Sequence, residues 1–315
     1  MAVYHPSKTL LRRQIDSLKM QAHQNWTCII GVDAADPETA DILSASIGTD
    51  ERFEIHEFES RVGFYRNFER ILRLAPRDVT WIALADQDDC WYPQKLTTLI
   101  PLLSTYSLVS CQARLARLDD DTILAPNKFT SRRVSGLGDL VFDNAVSGAL
   151  CVFRPEVLEI ALPFPKETDV AYHDHWLGLC ALLMEGIQIV EAPLQDYVQH
   201  SANVIGERQS NAVRRFQSLG RRAGLRGFAK YLVLHRWKWR VNMCRAALQR
   251  TTSTNPSDRE VLRAFARNRI NAQLVVAAVR AARGGNVSGL RIAALLFGSL
   301  LAPAFERRSN EPNCI

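Results

Sequence analysis

An apolar run from residue 81 to residue 85 ends directly on a group of carboxylates, Asp86, Asp88 and Asp89. A short run that is apolar throughout is typical of a strand buried on both faces of a largely parallel sheet. Such sheets bind ligands in the crevice beyond the carboxyl ends of their strands. Carboxylates this close repel one another unless a cation lies among them, and a divalent cation that carries substrate phosphates meets that need. The alternative is a polar turn before a helix that begins at Pro93, with Asp89 near the helix N-terminus.

Strand and helix patterns alternate along the first two thirds of the chain. Strands are predicted at residues 1–4, 28–32, 52–58, 81–85, 108–115, 147–153 and 187–191. Helices are predicted at residues 7–22, 37–47, 65–74, 93–103 and 173–184, where apolar residues recur at helical spacing. This alternation predicts an α/β fold, Rossmann-like, with a mostly parallel sheet flanked by helices.

Charge divides the chain into two zones. Residues 1–206 hold about 18 lysines and arginines against about 28 carboxylates, whereas residues 207–315 hold about 21 against about 5. After Gly206 the sequence becomes arginine-rich and helical in pattern. We therefore expect an α/β domain over residues 1–206 and a basic, mostly α-helical C-terminal extension over residues 207–315 that suits an anionic surface.

The cysteines indicate a reducing compartment. The chain has 7 cysteines and no C-x-x-C pair, and most of the cysteines lie in apolar runs. This usage is typical of buried, reduced thiols and not of a disulfide framework or a zinc site. No secretory signal opens the sequence, and no apolar run is long enough to cross a bilayer. These features predict a cytoplasmic protein.

Several short stretches, in order along the chain, together resemble one family. They are Gln14-Ile-Asp-Ser-Leu with Gln21 and Asn25-Trp26, Gly63-Phe-Tyr-Arg-Asn-Phe, Ala85-Asp-Gln-Asp-Asp-Cys-Trp, Asn144-Ala-Val-Ser-Gly148, His173-Asp-His-Trp-Leu, and Tyr197-Val-Gln-His-Ser-Ala-Asn-Val-Ile-Gly206. They look like the family 2 glycosyltransferases of the GT-A fold, and most like the rhamnosyltransferase-like branch that makes bacterial cell-surface polysaccharides. The resemblance covers residues 1–206 and implies a GT-A catalytic domain there.

The resemblance implies a reaction and its catalytic residues. Such enzymes move a sugar from a nucleoside diphosphate donor to an acceptor hydroxyl with inversion, and Mg²⁺ or Mn²⁺ neutralises the leaving diphosphate. Asp86 and Asp88 match the D-x-D element that binds the metal, with Asp88 in direct contact. His200 matches a late histidine that completes the metal site, and a surface loop histidine is the alternative. Asp174 matches the general base, and an aspartate that merely favours a helix N-terminus is the alternative.

The resemblance also implies a set of donor-binding residues. They are Tyr4, Asp33, Asn67, Asp86, Asp89 and Gly148. In the family, the position of Asp33 contacts the nucleobase, and that of Asn67 contacts the nucleobase or the diphosphate. Asp89 would reach the donor sugar, or would only cap a helix. Gly148 would let the backbone approach donor or acceptor, or would only introduce a strand.

The sequence departs from the family pattern in ways that leave the donor open. The family usually shows Asp-Asp-Gly-Ser after the second strand, whereas this chain has Val32-Asp-Ala-Ala-Asp36. The late Tyr-Arg-Gln-His pattern is Tyr197-Val-Gln-His here, so a cation is missing. The Gln-x-x-Arg-Trp signature of processive synthases is also absent, which predicts a single transfer per encounter.

The basic C-terminal region is open to several interpretations. Residues 235–240 mix cations with tryptophans, a combination that suits nucleic acid or a bilayer headgroup layer. Residues 290–305 are apolar but too short and too interrupted to span a bilayer. Helices that pack on the catalytic domain are one interpretation. The other interpretation is peripheral association with the inner face of an anionic membrane. The acceptor would then be a saccharide or a lipid-linked saccharide.

Two rival functions explain parts of the sequence. A nucleotidyltransferase also pairs carboxylates with a metal, but the chain shows no Gly-rich phosphate loop near the first strand. A nucleic-acid-binding protein could use the basic tail, but the acidic first two thirds disfavour that role. A metal-dependent, inverting glycosyltransferase explains more of the sequence than either.

Overall fold

A computed structural model describes residues 1–119, 122–124, 128–166, 170–199, 224, 226–251 and 255–309. The chain divides into two compact units. The first comprises Met1–Arg133, Ala145–Phe164 and His173–Glu207, and the second comprises Val134–Asn144, Pro165–Tyr172 and Arg208–Ile315. The predicted domain boundary at residue 206 lies outside the described residues. Two segments that precede it in sequence belong to the second unit.

A three-stranded parallel sheet opens the first unit. Its strands lie in the order β1 (Ala2–Val3), β2 (Cys28–Asp33) and β3 (Phe53–Phe58). The helices α1 (Lys8–Lys19), α2 (Pro37–Ile47) and α3 (Gly63–Leu72) follow these strands in turn. Because each parallel strand must be reached by a crossover, strand and helix alternate here as the sequence predicts.

Helix α2 shows why its predicted bounds agree with the structure. The Asp36 side chain accepts a hydrogen bond of 2.9 Å from the backbone N–H of Thr39. Pro37 occupies the first helical turn, where its missing N–H costs nothing and its fixed φ suits the helix. Both signals are local in sequence, so the sequence alone determines this helix start.

The second sheet has six strands and is mixed. Its path is β4 (Ile82–Ala83), β8 (Cys151–Phe153), β6 (Leu108–Asp119), β9 (Ile187–Gln199) and β5 (Cys90–Trp91), with β7 (Thr122–Leu124) on β6. Strands β6 and β9 are parallel, and the other pairs are antiparallel. The first unit also contains α4 (Lys95–Leu99), α6 (Val157–Ala161) and α7 (His173–Leu182). The predicted α/β class, with a parallel sheet flanked by helices, is confirmed, and the antiparallel pairs are an addition.

Two segments beside the acidic cluster fold differently from the prediction. Cys90 and Trp91 pair with Asp196 and Gln195 of β9, so the chain stays extended there. The helix predicted from residue 93 therefore begins two residues later, at Lys95, and continues as a 3₁₀ turn over Ile100–Ser104. The strand predicted from residue 147 begins at Cys151, because Gly148–Leu150 form a 3₁₀ turn.

The second unit is helical in its described part. It contains α5 (Leu137–Phe142), a π-helical segment Leu232–Lys238, α8 (Trp239–Arg250), α9 (Pro256–Ala266), α10 (Ala272–Arg283) and α11 (Gly289–Ser309). Trp237 and Trp239 are fully buried, and the guanidinium Nε of Arg240 donates to the Val141 carbonyl at 2.7 Å. The mixed segment at 235–240 thus contributes to the core. The interpretation that it binds nucleic acid or lipid headgroups is wrong, because its tryptophans are inaccessible. None of the described helices has the length and apolar character needed to cross a membrane.

Candidate active site

The acidic cluster lies on a turn that is fixed to the end of β1. The Tyr4 backbone N–H donates to Gln87 Oε1 at 2.8 Å, and Gln87 Nε2 donates to the Tyr4 carbonyl at 3.1 Å. The Ala2 N–H also donates to the Ala85 carbonyl at 3.3 Å. Gln87, the residue between Asp86 and Asp88, therefore anchors the turn through its amide. Its neighbours are the two residues that the family resemblance assigns to the metal.

Asp89 is held by the strand β9. It is fully buried, and its carboxylate accepts hydrogen bonds from Gln195 Nε2 at 2.9 Å and from the Val198 N–H at 3.3 Å. Burial raises the pKa of Asp89 well above its ordinary value, and the charges of Asp88 and Asp86 raise it further. Its described bonds attach the turn to β9, so it does not act as a cap for helix α4. Contact between Asp89 and a donor sugar stays a prediction.

A buried lysine that the sequence analysis did not identify lies next to this cluster. Lys95 is fully buried, and its ammonium donates to the Ala149 carbonyl at 2.5 Å and to Gln195 Oε1 at 2.6 Å. The ammonium also lies 3.5 Å from the centre of the Trp91 ring. Burial lowers the pKa of Lys95 to about 8, against the attraction of neighbouring acidic groups that include Asp89. Gln195 bridges Lys95 and Asp89, so one amide joins the cation to the acidic turn.

Asp86 and Asp174 lie within electrostatic range of each other. Burial raises the pKa of Asp86 to about 7, and the negative charges of Asp88 and Asp174 raise it further. Asp174 is half-buried in the first turn of α7, where its Oδ1 accepts the His175 N–H at 2.6 Å. The predicted metal ligand Asp86 and the predicted base Asp174 therefore lie near each other, although they are far apart in sequence.

His173 is packed between aromatic rings and a glycine. Its ring stacks on Phe68, with centroids 4.0 Å apart, and meets Phe64 edge-on at 5.9 Å. A Cβ on Gly148 would lie 2.6 Å from His173 Nε2, so only glycine fits at that position. Neither ring nitrogen has a hydrogen-bond partner among the described residues, and burial lowers the pKa of His173. Gly148 thus allows a neutral histidine to support the helix turn that carries Asp174.

The predicted nucleobase residues have strong internal contacts. Asp33 ends β2 and accepts hydrogen bonds of 2.8 Å from the N–H groups of Val62 and Gly63 and from Arg70 Nη2. Asn67 donates to the Gly31 carbonyl at 2.9 Å and accepts from Arg70 Nε at 2.9 Å. Both side chains are almost fully buried. They set the start of α3 against β2, and contact with a nucleobase stays a prediction for each.

Tyr4, a predicted donor residue directly after β1, is partly accessible. Its ring is half-buried, and the Arg61 guanidinium lies 4.2 Å from the ring centre. The His5 ring meets it edge-on at 4.3 Å. An aromatic face flanked by a cation suits stacking against a planar ring. The prediction for His200 lies outside the described residues.

A second network, also missed by the sequence analysis, lies on the other face of β9. Asp196 is 2% exposed and accepts hydrogen bonds from Arg13 Nη2 at 2.6 Å, from Arg114 Nε at 2.7 Å and from the Tyr92 hydroxyl at 2.7 Å. Burial raises the pKa of Asp196, but the bonds from Arg114 and Tyr92 outweigh it and lower the pKa overall. This network fastens α1, β6 and the segment after β5 to β9.

Comparisons with known proteins agree with this geometry. Residues 1–156 match the family model described as glycosyl transferase family 2. The mannosyltransferase PcManGT from Pyrobaculum calidifontis, in complex with GDP-Man and Mn²⁺, is similar in structure, with a TM-score of 0.54 and 16% identity over 99% of this chain and 86% of that chain. TarS 1–349 from S. aureus, in complex with UDP-GlcNAc, is similar with a TM-score of 0.51 and 10% identity over 98% and 91%. A comparison with curated proteins finds no match.

The chain has the fold of the GT-A glycosyltransferases. The match over residues 1–156 indicates a glycosyltransferase family 2 domain in that part of the chain. At these sequence identities the structural likeness establishes the fold alone. The sugar, the acceptor and the mechanism therefore need a separate argument.

Proposed function

We propose that this enzyme transfers a sugar from a nucleoside diphosphate donor to an acceptor hydroxyl with inversion, using Asp174 as the general base and a divalent cation at Asp86 and Asp88. The observation that supports it most is that Asp174 is near enough to Asp86 for its charge to add to the rise in the pKa of Asp86 that burial and Asp88 cause. It indicates that the base and the diphosphate site share one space. In a single displacement the base lies on the acceptor side of the anomeric carbon, opposite the leaving diphosphate, and both belong to one site.

The residues of the acidic turn fit a divalent cation. Asp86 is half-buried with a raised pKa, which indicates negative charge that the protein alone compensates poorly. Carboxylate oxygens are the ligands that Mg²⁺ and Mn²⁺ prefer. The described residues contain no group of three or more His, Cys, Asp or Glu side chains able to hold a metal. We therefore expect Asp86 and Asp88 to share the ion with diphosphate oxygens and with His200. When bound, the ion neutralises charge on the leaving diphosphate.

Each remaining residue has a role that follows from its position. Asp174 is half-buried, so an acceptor hydroxyl can reach it and lose a proton to it as the bond to the sugar forms. The packed ring of His173 fixes the helix turn on which Asp174 lies. Gln195 holds the acidic turn by donating a hydrogen bond to Asp89, and Lys95 in turn donates to Gln195. Tyr4, at the end of β1, offers an aromatic face to the nucleobase.

The donor and the acceptor are proposed only by class. The two similar structures contain GDP-Man and UDP-GlcNAc, which supports a nucleotide sugar as donor. Assignment to the rhamnosyltransferase-like branch, a role in bacterial cell-surface polysaccharide synthesis, and a saccharide or lipid-linked saccharide acceptor rest on sequence resemblance. A nucleotidyltransferase remains the rival among enzymes. It would release inorganic pyrophosphate from a nucleoside triphosphate, whereas the proposed enzyme releases a nucleoside diphosphate.

The test begins by finding the donor. Nucleotide sugars are screened, with and without Mn²⁺, for an increase in melting temperature, because a bound ligand stabilises the folded state by mass action. Transfer is then measured as release of the nucleoside diphosphate, and the anomeric configuration of the product is determined by NMR. We expect metal-dependent stabilisation by one nucleotide sugar and a product of inverted configuration.

The variant Asp174→Asn tests the base. Asparagine has nearly the same shape and stabilises a helix start about as well, but it cannot take the proton. Transfer should fall by about 10²–10⁴-fold, while donor affinity and melting temperature change little. Asp41→Asn, an exposed aspartate on α2, is the matched control and should keep full activity. Near-normal turnover of folded Asp174→Asn would refute the assignment.

A further inference from the structure

Helix α11 presents apolar residues on both of its sides. One side packs in the second unit: Gly298 lies so close to the π-helical segment that an added Cβ would be 2.5 Å from the Leu232 carbonyl oxygen. The opposite side carries Leu290, Phe297 and Leu300, whose exposed fractions are 44%, 51% and 63%. Positions separated by seven and by three residues lie on one face of a helix. Helix α11 therefore has an apolar stripe that the described structure leaves in contact with solvent.

Helix α10 repeats the arrangement. Its inner side is made of small residues and Leu274, all buried. Its outer side carries Val275, Val276 and Val279, each between 45% and 47% exposed. Scattered exposed apolar residues are ordinary, but two consecutive helices that each expose a cluster of large ones mark an interaction surface. We call the outer residues of α10 and α11 named here the apolar face.

The charged residues of the segment that carries the apolar face are all positive. Residues 261–305 contain 6 arginines and no aspartate or glutamate. Arg267, Arg269, Arg280 and Arg283 are exposed. Arg291 is occupied by an ion pair with Asp143. A surface that combines exposed apolar side chains with exposed arginines, which form no ion pair among the described residues, attracts a partner that is both apolar and anionic.

These properties distinguish between the partners that such a face could bind. A second copy of the chain would bring its own arginines against these, and like charges in contact oppose association. Nucleic acid would pair with the arginines but would leave Phe297 and Leu300 in water. A bilayer with anionic lipids accepts both, since headgroups bind the arginines and the acyl boundary buries the apolar residues.

We infer that the apolar face of α10 and α11 docks the protein on an anionic membrane surface, with Phe297 and Leu300 inserted at the acyl boundary. The inference adds a place of action to the proposed function and does not depend on it, because docking involves none of the active-site residues. The expectation of peripheral association from the sequence rested on the total charge of the tail and on its apolar segment at residues 290–305. The structure replaces it with a defined surface.

The experiment measures sedimentation of the full-length protein with vesicles, without donor or metal. Vesicles of phosphatidylcholine mixed with phosphatidylglycerol are compared with vesicles of phosphatidylcholine alone, at low and high salt. We expect binding to the anionic vesicles, weakened by salt. The double variant Phe297→Ser with Leu300→Ser should bind roughly 10- to 100-fold more weakly, since two large side chains no longer leave water.

Two control variants separate the contributions. Met20→Ser removes a side chain that is 66% exposed in the first unit, and it should bind like the unaltered protein. Arg280→Gln with Arg283→Gln should weaken binding by about fivefold per charge at low salt. Because the readout is binding, an enzyme that fails to transfer sugar would leave this inference intact.

Three results would overturn the inference. The first is absence of binding to anionic vesicles at low salt. The second is tight binding of duplex DNA together with vesicle binding that is weaker than the DNA binding. If the arginine variant loses the DNA binding and the Phe297→Ser, Leu300→Ser variant keeps it, the face would be assigned to nucleic acid. The third is a concentration-dependent dimer in solution that the Phe297→Ser, Leu300→Ser variant abolishes, which would assign it to a second copy.

Discussion

Replacing Lys95, the buried lysine next to the acidic turn, should lower the free energy of unfolding of the first unit. Lys95→Met keeps an unbranched side chain of similar length and removes the ammonium. The carbonyl of Ala149 and Oε1 of Gln195 then lose a charged donor at 2.5 Å and 2.6 Å. A buried acceptor left without a partner costs about 1–3 kcal/mol. The burial cost of the ammonium, which lowers the pKa of Lys95, is relieved at the same time. We expect a net loss of about 2–4 kcal/mol in the free energy of unfolding.

The pH dependence gives a second measure of the same group. The pKa of Lys95 is lowered to about 8 in the folded protein, whereas an unfolded lysine titrates near its ordinary value. Between these values the unfolded chain binds a proton that the folded protein does not, so stability rises with pH there. This contribution is fully present above the unfolded pKa and is lost as the pH falls through about 8. The Lys95→Met variant should lack this rise.

The assay is urea unfolding at several pH values, followed by fluorescence. Lys8→Met, which removes an exposed lysine in the first turn of α1, is the matched control and should change stability by less than about 0.5 kcal/mol. A Lys95→Met protein as stable as the unaltered one, with the same pH dependence, would show that the ammonium does not support the turn.

Three further predictions concern the residues of the site. Asp88→Asn should abolish metal-dependent donor binding without unfolding the protein; calorimetry that shows unchanged binding with Mn²⁺ would contradict the ligand assignment. Burial lowers the pKa of His173 despite the attraction of Asp174. Below the unfolded pKa the free energy of unfolding should therefore fall by up to about 1.4 kcal/mol per pH unit, and urea unfolding of His173→Leu should show a smaller fall. Gly148→Ala places a Cβ 2.6 Å from His173 Nε2 and should cost about 1–3 kcal/mol, and a melting temperature that does not change would refute this packing.

Local signals in the sequence predict the parts of the fold that depend on neighbouring residues. Helix α2 is predicted and observed at residues 37–47, because its cap and its proline are adjacent to it. Strand β5 is not predicted, since the two residues Cys90 and Trp91 carry no periodic pattern and are extended only because they pair with β9. The antiparallel pairs of the second sheet escape prediction for the same reason.

The candidate site shows the same division. Asp86, Asp88 and Asp174 can be recognised from the sequence. The first two are carboxylates directly after a predicted strand, and the third lies in a stretch that matches a family motif. Lys95 does not, because a lysine after a proline at a helix start ordinarily faces solvent. Its partner Gln195 lies 100 residues away, and no local pattern joins them. The sequence therefore identifies the candidate catalytic and metal-binding residues better than the buried residues that position them.

The alternation of β9 has a consequence for how the second sheet assembles. Gln195 faces Lys95 and Asp89, and the next residue, Asp196, faces the opposite side, where it meets arginines. A shift of one residue against β5 would exchange the two. A carboxylate would then lie beside Asp89, and an amide would replace the counterion of two guanidiniums. The misaligned strand would thus be destabilised on both faces, so the buried partners of Gln195 and Asp196 specify the register of β9 against β5.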